Sequence, residues 1–431
     1  MIASGDLTVK FASLAFAAAI LLSGTAQAET IILTADAMVD VESGRLIADP
    51  VITVEDGEIT SVSTGEAPQV DGAEYLDLAG KTILPGLIDM HVHLTSDSDL
   101  HGYRRLSVSD ERAAITGVVN AKTTLMAGFT TVRNVGAGSF GDVALRDAIA
   151  EGDIPGPRLF VSGPPIGITG GHCSDNNLLP PEYEASGEGV ADGPWAARSK
   201  VRYNRKFGVD LIKTCSTGGV LSKGTKVGAP QYTVEELTAL VEEARSHGLK
   251  VASHAHGAEG IVNALKAGVD TIEHASFIDD EGIRLARENG AFLNMDIYVT
   301  EFILGEGEAA GILPESLEKE RVVGQTQRDN FRRAHEAGVK MSFGTDAGVY
   351  PHGDNARQLS RMVQFGMSAA EALRAATYNS AEALGQAGKL GVIAPGASAD
   401  IIAVEGNPLA DVSLLESVSF VMKAGDVYKS E

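Results

Sequence analysis

The apolar positions of this chain follow one pattern near both ends and another between them. From Thr30 to Leu84 short alternating apolar runs are broken by turn residues, and Asp56-Gly57 separates two of these runs. Alternation with a period of two is typical of half-buried strands, and Asp-Gly between two such runs is typical of a hairpin. Similar short runs follow Pro395 to the end of the chain. We therefore expect one small β-sandwich built from both termini.

Between Leu84 and about Leu390 the pattern changes to alternating strands and helices. Thr233, with Glu236 three residues later, begins one of these helices with a capping box. The eight predicted strands cover residues 87–94, 130–135, 158–163, 210–214, 250–254, 271–274, 292–296 and 340–344. Eight such units fit a closed parallel (β/α)8 barrel, whose catalytic groups lie at the C-terminal strand ends. The predicted fold is α/β, with the sandwich at 29–84 and 390–431 and the barrel at 85–389.

The first 28 residues have the features of an export signal. Lys10 precedes an apolar run from Phe11 to Leu22, and Ala26-Gln27-Ala28 is a small-x-small cleavage site. The run is short for a bilayer span, although a retained N-terminal anchor is the alternative. We interpret residues 1–28 as a signal peptide and expect an exported, periplasmic protein without stable membrane insertion after cleavage.

The amino-acid composition limits the classes of molecule that this protein is expected to bind. The chain has 44% hydrophobic and 22% charged residues, as globular proteins do, and a net charge of −23. Such an acidic surface repels nucleic acid and acidic lipid, so we expect a small-molecule substrate and no nucleic acid. A homo-oligomer stays open. Two cysteines, Cys173 and Cys215, are too few for a disulfide scaffold, and a single cross-link and two free thiols both stay open.

Two histidines end the first predicted barrel strand. Side chains at i and i+2 of a strand share a face, so His91 and His93 can aim both imidazoles at one point. A lone pair of this kind is more often two hydrogen-bonded histidines of a buried strand. Here further metal-ligating residue types follow at the ends of the fifth, sixth and eighth strands, namely His254, His274 and Asp346. This order favours a metal centre over separate structural roles.

The fourth and sixth strands carry charged residues that need an explanation. Lys213 in an apolar strand costs desolvation unless the amine is neutral or paired. A desolvated amine can add carbon dioxide and become an anionic carbamate that bridges two metal ions. An ammonium that meets a carboxylate is the alternative.

Strand alternation predicts that Glu273 faces away from the barrel interior, and we expect His256 to line the site or to be structural.

The motifs together resemble those of the amidohydrolase superfamily. The segments that carry the resemblance are PGLIDMHVHL, HAHGAEGI with VDTIEH, and SFGTDAG followed by YPHGDN, together with the strand-end Lys213. More narrowly, the chain is similar to the imidazolonepropionase-related branch that contains metal-dependent prolidases and other dipeptidases. The resemblance covers nearly all of the mature chain, including GVIAPGASADIIAVEGNPLADV, which is similar to the returning β-sandwich segment of that family.

This resemblance implies a centre of two divalent metal ions, usually zinc. His91, His93 and Asp346 would hold the more buried ion, and His254 and His274 the more exposed one. Lys213, as the carbamate formed with carbon dioxide, would bridge the two ions.

Two further residues resemble substrate-contacting positions of the dipeptidases in this branch. They are His172, in TGGH after the third strand, and Tyr232, in APQYTVEE. The alternatives are a surface loop histidine for His172 and a packing residue for Tyr232.

The implied activity is hydrolysis of an amide bond in a dipeptide or an N-acyl amino acid, such as ochratoxin A, with release of the C-terminal amino acid. Asp346 would accept a proton from the attacking water and deliver it to the leaving amine. Hydrolysis of another cyclic amide, a lactone or an organophosphate stays open. Imidazolonepropionase itself is disfavoured. The resemblance implies for that enzyme a mononuclear site without a bridging lysine, whereas this chain carries Lys213. A periplasmic barrel that binds without turnover is also disfavoured, because all six ligand positions are filled.

The loops after the third, fourth and seventh strands set the side-chain specificity. In the last of these loops Tyr298, Phe302 and Ile303 would form an apolar lid, whereas Glu301 and Glu306 would attract a cationic side chain. The sequence leaves the choice open.

Overall fold

A computed structural model describes residues 30–175 and 177–431 of the chain. The predicted signal peptide, residues 1–28, lies outside the described residues. The strands of the described part are β1 (Thr30–Asp40), β2 (Arg45–Ala48), β3 (Pro50–Glu55), β4 (Glu58–Thr64), β5 (Glu74–Pro85), β6 (Leu87–Val92), β7 (Phe129–Asn134), β8 (Arg158–Val161), β9 (Leu211–Cys215), β10 (Lys250–Ala255), β11 (Thr271–His274), β12 (Phe292–Asn294), β13 (Met341–Ser342), β14 (Ile401–Glu405), β15 (Phe420–Lys423) and β16 (Asp426–Ser430). The helices are α1 (Asp110–Met126), α2 (Gly141–Ala150), α3 (Pro194–Lys206), α4 (Val234–Ser246), α5 (Ala258–Ala267), α6 (Asp280–Asn289), α7 (Val299–Gly305), α8 (Pro314–Glu336), α9 (Arg357–Gln364), α10 (Ala369–Arg374) and α11 (Ser380–Leu384).

Strands from both ends of the chain form one eight-stranded sheet. Its order is β16-β15-β14-β5-β1-β3-β4, with β2 paired to β1. The hairpin predicted at Asp56-Gly57 joins β3 to β4, and both turn residues have positive φ, at 48° and 80°. Positive φ at both positions defines the type I′ turn, whose twist matches that of paired strands. Strand β5 lies between β1 and β14, so it joins the two ends of the chain.

The eight strands from β6 to β13 form the predicted parallel barrel, and the fold class is confirmed. They make two arcs, β6-β7-β8 and β13-β12-β11-β10-β9. One seam contains the hydrogen bond from Asp210 N to Val161 O at 2.8 Å. The other contains the bond from Met90 N to Phe343 O, also at 2.8 Å. The C-terminal ends of all eight strands therefore meet at one mouth.

Helices between the strands cover the barrel. The capping box predicted for α4 is present, because Glu236 N donates to Thr233 Oγ1 and Thr233 N donates to Glu236 Oε2. The buried rings of Phe129 and Phe343 stack with centroids 5.7 Å apart. In the described part of the chain, none of the helices combines the length and the apolarity that crossing a membrane requires. The division of the chain at 84/85 and 389/390 stays a prediction.

Candidate metal centre

Three of the predicted ligands converge at the seam between the first and last barrel strands. His91 Nε2 lies 3.3 Å and His93 Nε2 lies 3.2 Å from the same oxygen, Oδ1 of Asp346. Asp346 has a left-handed φ of 60°, and its amide donates to His91 O at 2.8 Å. Burial raises the pKa of Asp346, but His91 and His93 outweigh burial and hold that pKa well below its usual range. The carboxylate is therefore ionised at neutral pH and lies between two imidazoles.

The opposite nitrogen of His91 is held by a buried acid that we expected elsewhere. His91 Nδ1 lies 3.0 Å from Glu273 Oε2, and Glu273 also accepts hydrogen bonds from Arg133 at 2.7 Å and Asn294 at 2.6 Å. Burial raises the pKa of Glu273, but Arg133 and then His91 outweigh it and keep that pKa well below its usual range. Glu273 is thus a charged residue of the barrel interior, and the prediction that it faces outward is wrong.

The backbone at the end of β11 explains the error. Strand alternation places Glu273 and Thr271 on one face, and Thr271 Oγ1 accepts a hydrogen bond from Arg133 inside the barrel. Strict alternation would then turn His274 outward. However, His274 and Ala275 have left-handed φ values of 69° and 49°, which end the strand and bring the imidazole back to the mouth. Both neighbours therefore reach the interior, which a simple period of two does not predict.

A second group of histidines lies beside the first. The ring centroids of His254 and His274 are 4.5 Å apart, and those of His91 and His274 are 5.0 Å apart. Asp296 accepts from His274 Nδ1 at 2.8 Å, as Glu273 does from His91 Nδ1, so in each ring Nε2 stays available on the opposite side. A carboxylate behind the imidazole is the usual outer partner of a metal-bound histidine.

His254 has a ring nitrogen that is available to a metal ion. Its Nε2 is buried and has no hydrogen-bond partner among the described residues. Burial, followed by the neighbouring His172 and His274, holds the pKa of His254 well below its usual range. The ring is therefore neutral, as a metal ligand must be, and an unpaired buried nitrogen is costly unless an ion occupies the space beside it.

His256 also lies in this cluster. Its Nδ1 is 2.8 Å from Ser276 Oγ, and its ring centroid is 4.8 Å from that of His274. The ligand atoms of His254, His256 and His274 all lie within 4.8 Å of one another. The structure thus places His256 at the lining of the site, as one of the two roles expected for it.

Lys213 lies in the barrel interior on β9, beside Ala252 of β10. The residue is 3% exposed. Burial lowers the pKa of Lys213 to about 8, although the attraction of Glu273 opposes this shift. An amine with this pKa is uncharged in an appreciable fraction near neutral pH.

The loop after β8 brings His172 to the second histidine group. Its ring centroid lies 4.1 Å from that of His254, and its Nδ1 lies 2.9 Å from Ser222 Oγ. A Cβ at Gly219 would meet the His172 ring at 2.5 Å, so only glycine fits there. The structure therefore brings His172 to the mouth and not to an outer loop surface. Burial lowers its pKa to about 3, so the ring is neutral.

A disulfide joins Cys173, the residue after His172, to Cys215 at the end of β9. The sequence left two alternatives open, a disulfide and two free thiols, and the structure has the disulfide. It connects the loop that carries His172 to the strand that carries Lys213.

The structure does not bring the Tyr232 hydroxyl to the histidines. Tyr232 is 3% exposed, and its hydroxyl donates to Ala191 O at 2.6 Å. This placement corresponds to the packing alternative. The prediction that Tyr232 contacts substrate stays a prediction, and it requires the hydroxyl to leave Ala191.

The sequence analysis did not identify Asp89 and Gln327 as residues that support the site. Asp89 accepts from Thr345 Oγ1 at 2.6 Å and from Asn355 Nδ2 at 2.8 Å, and burial raises its pKa to about 6. Gln327 donates to Asp296 at 2.9 Å, behind His274. Asp89 lies two residues before His91, so the same strand period could have found it, whereas Gln327 lies on α8 and gives no local signal.

The loop after β12 supplies the side chains considered for specificity. Tyr298 and Phe302 are buried, and both rings face Tyr350, with centroids 5.1 and 6.4 Å away. Glu301 is paired with Arg361 at 2.9 Å and Arg328 at 3.3 Å. The charge of Glu301 is therefore already balanced by the protein, which leaves Glu306 as the carboxylate of this loop that could attract a cationic side chain.

We expect Glu273→Gln to lower the free energy of unfolding by about 3–5 kcal/mol, because it leaves Arg133 charged and buried without its partner. Urea unfolding of the metal-stripped protein measures this. Glu281→Gln is the control, since the Glu281–Arg284 pair is half exposed and its loss should leave stability nearly unchanged. Equal effects of the two changes would contradict the buried role of Glu273.

The chain is similar to known proteins in both sequence and fold. The model of the family described as "Amidohydrolase family" matches residues 82–428. Ochratoxinase of Aspergillus niger is 33% identical over 371 residues, which cover 80% of this chain and 75% of that protein.

Two examples show the similarity to solved structures. A Xaa-Pro dipeptidase with bound methionine in the active site has a TM-score of 0.89 and 39% identity, covering 93% of this chain and 100% of that chain. A prolidase complexed with N-methylphosphonate-L-proline has a TM-score of 0.86 and 31% identity, with coverages of 93% and 100%.

Proposed function

This chain belongs to the amidohydrolase family and is a metal-dependent hydrolase of amide bonds, and from that premise we propose that it cleaves dipeptides or N-acyl amino acids. The products would be the C-terminal amino acid and the carboxylate of the N-terminal part. The observation that carries the proposal is the convergence of His91 and His93 on Asp346, beside the unpaired Nε2 of His254. The relatives named for dipeptide and ochratoxin cleavage support the same substrate class.

The residues present fit two divalent ions. His91, His93 and Asp346 would hold one ion, and His254 and His274 the other. The support is chemical, since three neutral or carboxylate-backed imidazoles and one ionised carboxylate converge at the mouth of the barrel. Bound there, zinc would lower the pKa of a coordinated water and polarise the scissile carbonyl.

Lys213 would complete this centre as a carbamate. The neutral amine attacks carbon dioxide, a nitrogen–carbon bond forms, and one proton leaves to solvent. A pKa of about 8 supplies the neutral amine, and its reaction with carbon dioxide gives an anion. The anionic carbamate oxygens would then bridge the two ions.

Two side chains of the mouth would act on the substrate. Asp346, ionised and 14% exposed at its side chain, would accept the proton of the attacking water and return it to the leaving amine. His172, neutral and fixed by Ser222, would contact the substrate beside His254. In the structure, the Tyr232 hydroxyl holds the segment before α4 against Ala191. Tyr232 would contact the substrate only if substrate binding released this hydrogen bond.

Elemental analysis paired with a substrate screen tests this proposal. We expect the purified protein to contain about two zinc ions per chain and to release free amino acid, detected with ninhydrin, from one class of dipeptides or N-acyl amino acids. Removal of metal by a chelator should abolish release, and added zinc should restore it. One ion or none, with no release from any member of the library, would contradict the proposal.

A further inference from the structure

A third group of ligating atoms lies at the edge of the histidine cluster and includes sulfur. The sulfur of Cys215 and ring nitrogens of His172 and His254 all lie within 4.8 Å of one another. Cys215 is fully buried and bonded to Cys173. While that bond is intact, the sulfur carries no negative charge and is a poor metal ligand.

The two histidines of this group have nitrogen atoms available. His254 Nε2 is buried without a hydrogen-bond partner among the described residues, and His172 uses its Nδ1 on Ser222, which leaves its Nε2. Zinc bonds of about 2.3 Å to sulfur and 2.0–2.1 Å to nitrogen put tetrahedral ligands about 3.5 Å apart. Because the three atoms lie at most 4.8 Å apart, they would need to approach by at most about 1.3 Å, a change that a freed Cys215 side chain and the partly buried His172 could supply.

We propose that the Cys173–Cys215 disulfide masks a third metal site, made of Cys215, His172 and His254, which takes zinc or another thiophilic divalent ion once the disulfide is reduced. A dithiol supplies the two electrons and two protons, so that the sulfur–sulfur bond breaks, two thiols form, and the dithiol becomes its own disulfide. Binding of the ion then displaces the thiol proton of Cys215 to solvent.

This site cannot operate together with the proposed catalytic centre. His254 would serve both, and His172 would leave its place beside the substrate. The effect on turnover rests on the proposed function, whereas the metal site itself does not. The disulfide therefore keeps His254 and His172 in the arrangement that hydrolysis needs, and it does so by removing a competing ligand as well as by holding a loop.

A matched pair of variants separates these two effects. Cys173→Ser and Cys215→Ser both remove the cross-link, but only Cys173→Ser leaves a thiol between the two histidines. With Co²⁺ as the probe, we expect a thiolate-to-cobalt charge-transfer band, saturating near one equivalent, in Cys173→Ser alone. The oxidised wild type and Cys215→Ser should lack it. Adding His172→Ala to Cys173→Ser should weaken Co²⁺ binding at this band by about tenfold or more.

A second measurement tests the proposal even if Cys173→Ser fails to fold. Wild-type protein reduced by a water-soluble phosphine, and freed of it by gel filtration, should show the same band. Absence of the band from both thiol-bearing proteins, or its presence in Cys215→Ser, would overturn the proposal. Histidine-bound and carboxylate-bound cobalt gives no thiolate band, so failure of the third site is distinguishable from failure of the catalytic centre.

Zinc inhibition gives the functional readout. We expect excess zinc to reduce turnover of Cys173→Ser by about tenfold relative to Cys215→Ser under the same conditions. Equal sensitivity of the two variants would mean that only the cross-link matters.

Discussion

Lys213→Ala is expected to lower turnover by about 10³-fold and to leave at most one tightly bound metal ion per chain. Without the proposed carbamate, two cations would lie close together with one anionic ligand, Asp346, instead of two. Each loss of about 1.4 kcal/mol of transition-state stabilisation is tenfold in rate, and metal-based charge stabilisation is worth several kcal/mol. Elemental analysis and the turnover number measure the two effects.

Added short carboxylates such as acetate or propionate should partly restore both properties, because they can occupy the space of the missing carbamate. Lys250→Ala is the control, since Lys250 begins the neighbouring strand β10 and donates to Ala383 O at 2.6 Å. Its turnover should stay within about threefold of wild type. Two tightly bound ions and full turnover in Lys213→Ala, without any carboxylate, would show that Lys213 is not a bridge.

Asp346→Asn is expected to retain at least one metal ion and to lose about 10²–10⁴-fold in turnover, the usual contribution of a positioned general base. The amide keeps the shape of the carboxyl group but cannot accept the proton of the attacking water. The loss should fall mainly on kcat, because substrate affinity depends on other groups. Steady-state kinetics with the substrate found by the ninhydrin screen measures this split.

Asp354→Asn is the matched control for this change. Asp354 follows the same barrel strand, but it is exposed and pairs weakly with Arg357 at 3.5 Å. We expect its turnover to be that of the wild type within about twofold. Undiminished activity of Asp346→Asn would rule out Asp346 as the proton acceptor.

The apolar pattern predicted the barrel because strands with a period of two and helices between them are local features. All eight barrel strands overlap the predicted ranges, and the histidines spaced i and i+2 meet at Asp346 as expected. The grouping of the strand-end histidines could be predicted because a closed parallel sheet places all such ends at one mouth.

Other features of the site depend on backbone angles and on distant partners. The direction of Glu273 was wrong because left-handed φ at His274 is not encoded by apolar alternation. Gln327 was missed because a helix residue reaches Asp296 across the fold. The choice between a disulfide and two thiols could not be made, since it depends on the distance between the loop that carries Cys173 and the end of β9.

The sheet formed by both termini has a consequence for the order of events on the ribosome. Strand β5 leads directly into β6, and its second half pairs with β14, which is synthesised more than 300 residues later. Asp400 accepts from Gly86 N at the start of β6 and from Arg158 at the start of β8. A nascent chain therefore carries an open strand edge beside His91 and His93 until β14 has been synthesised. A chain that stops before β14 leaves this edge open for pairing with another chain.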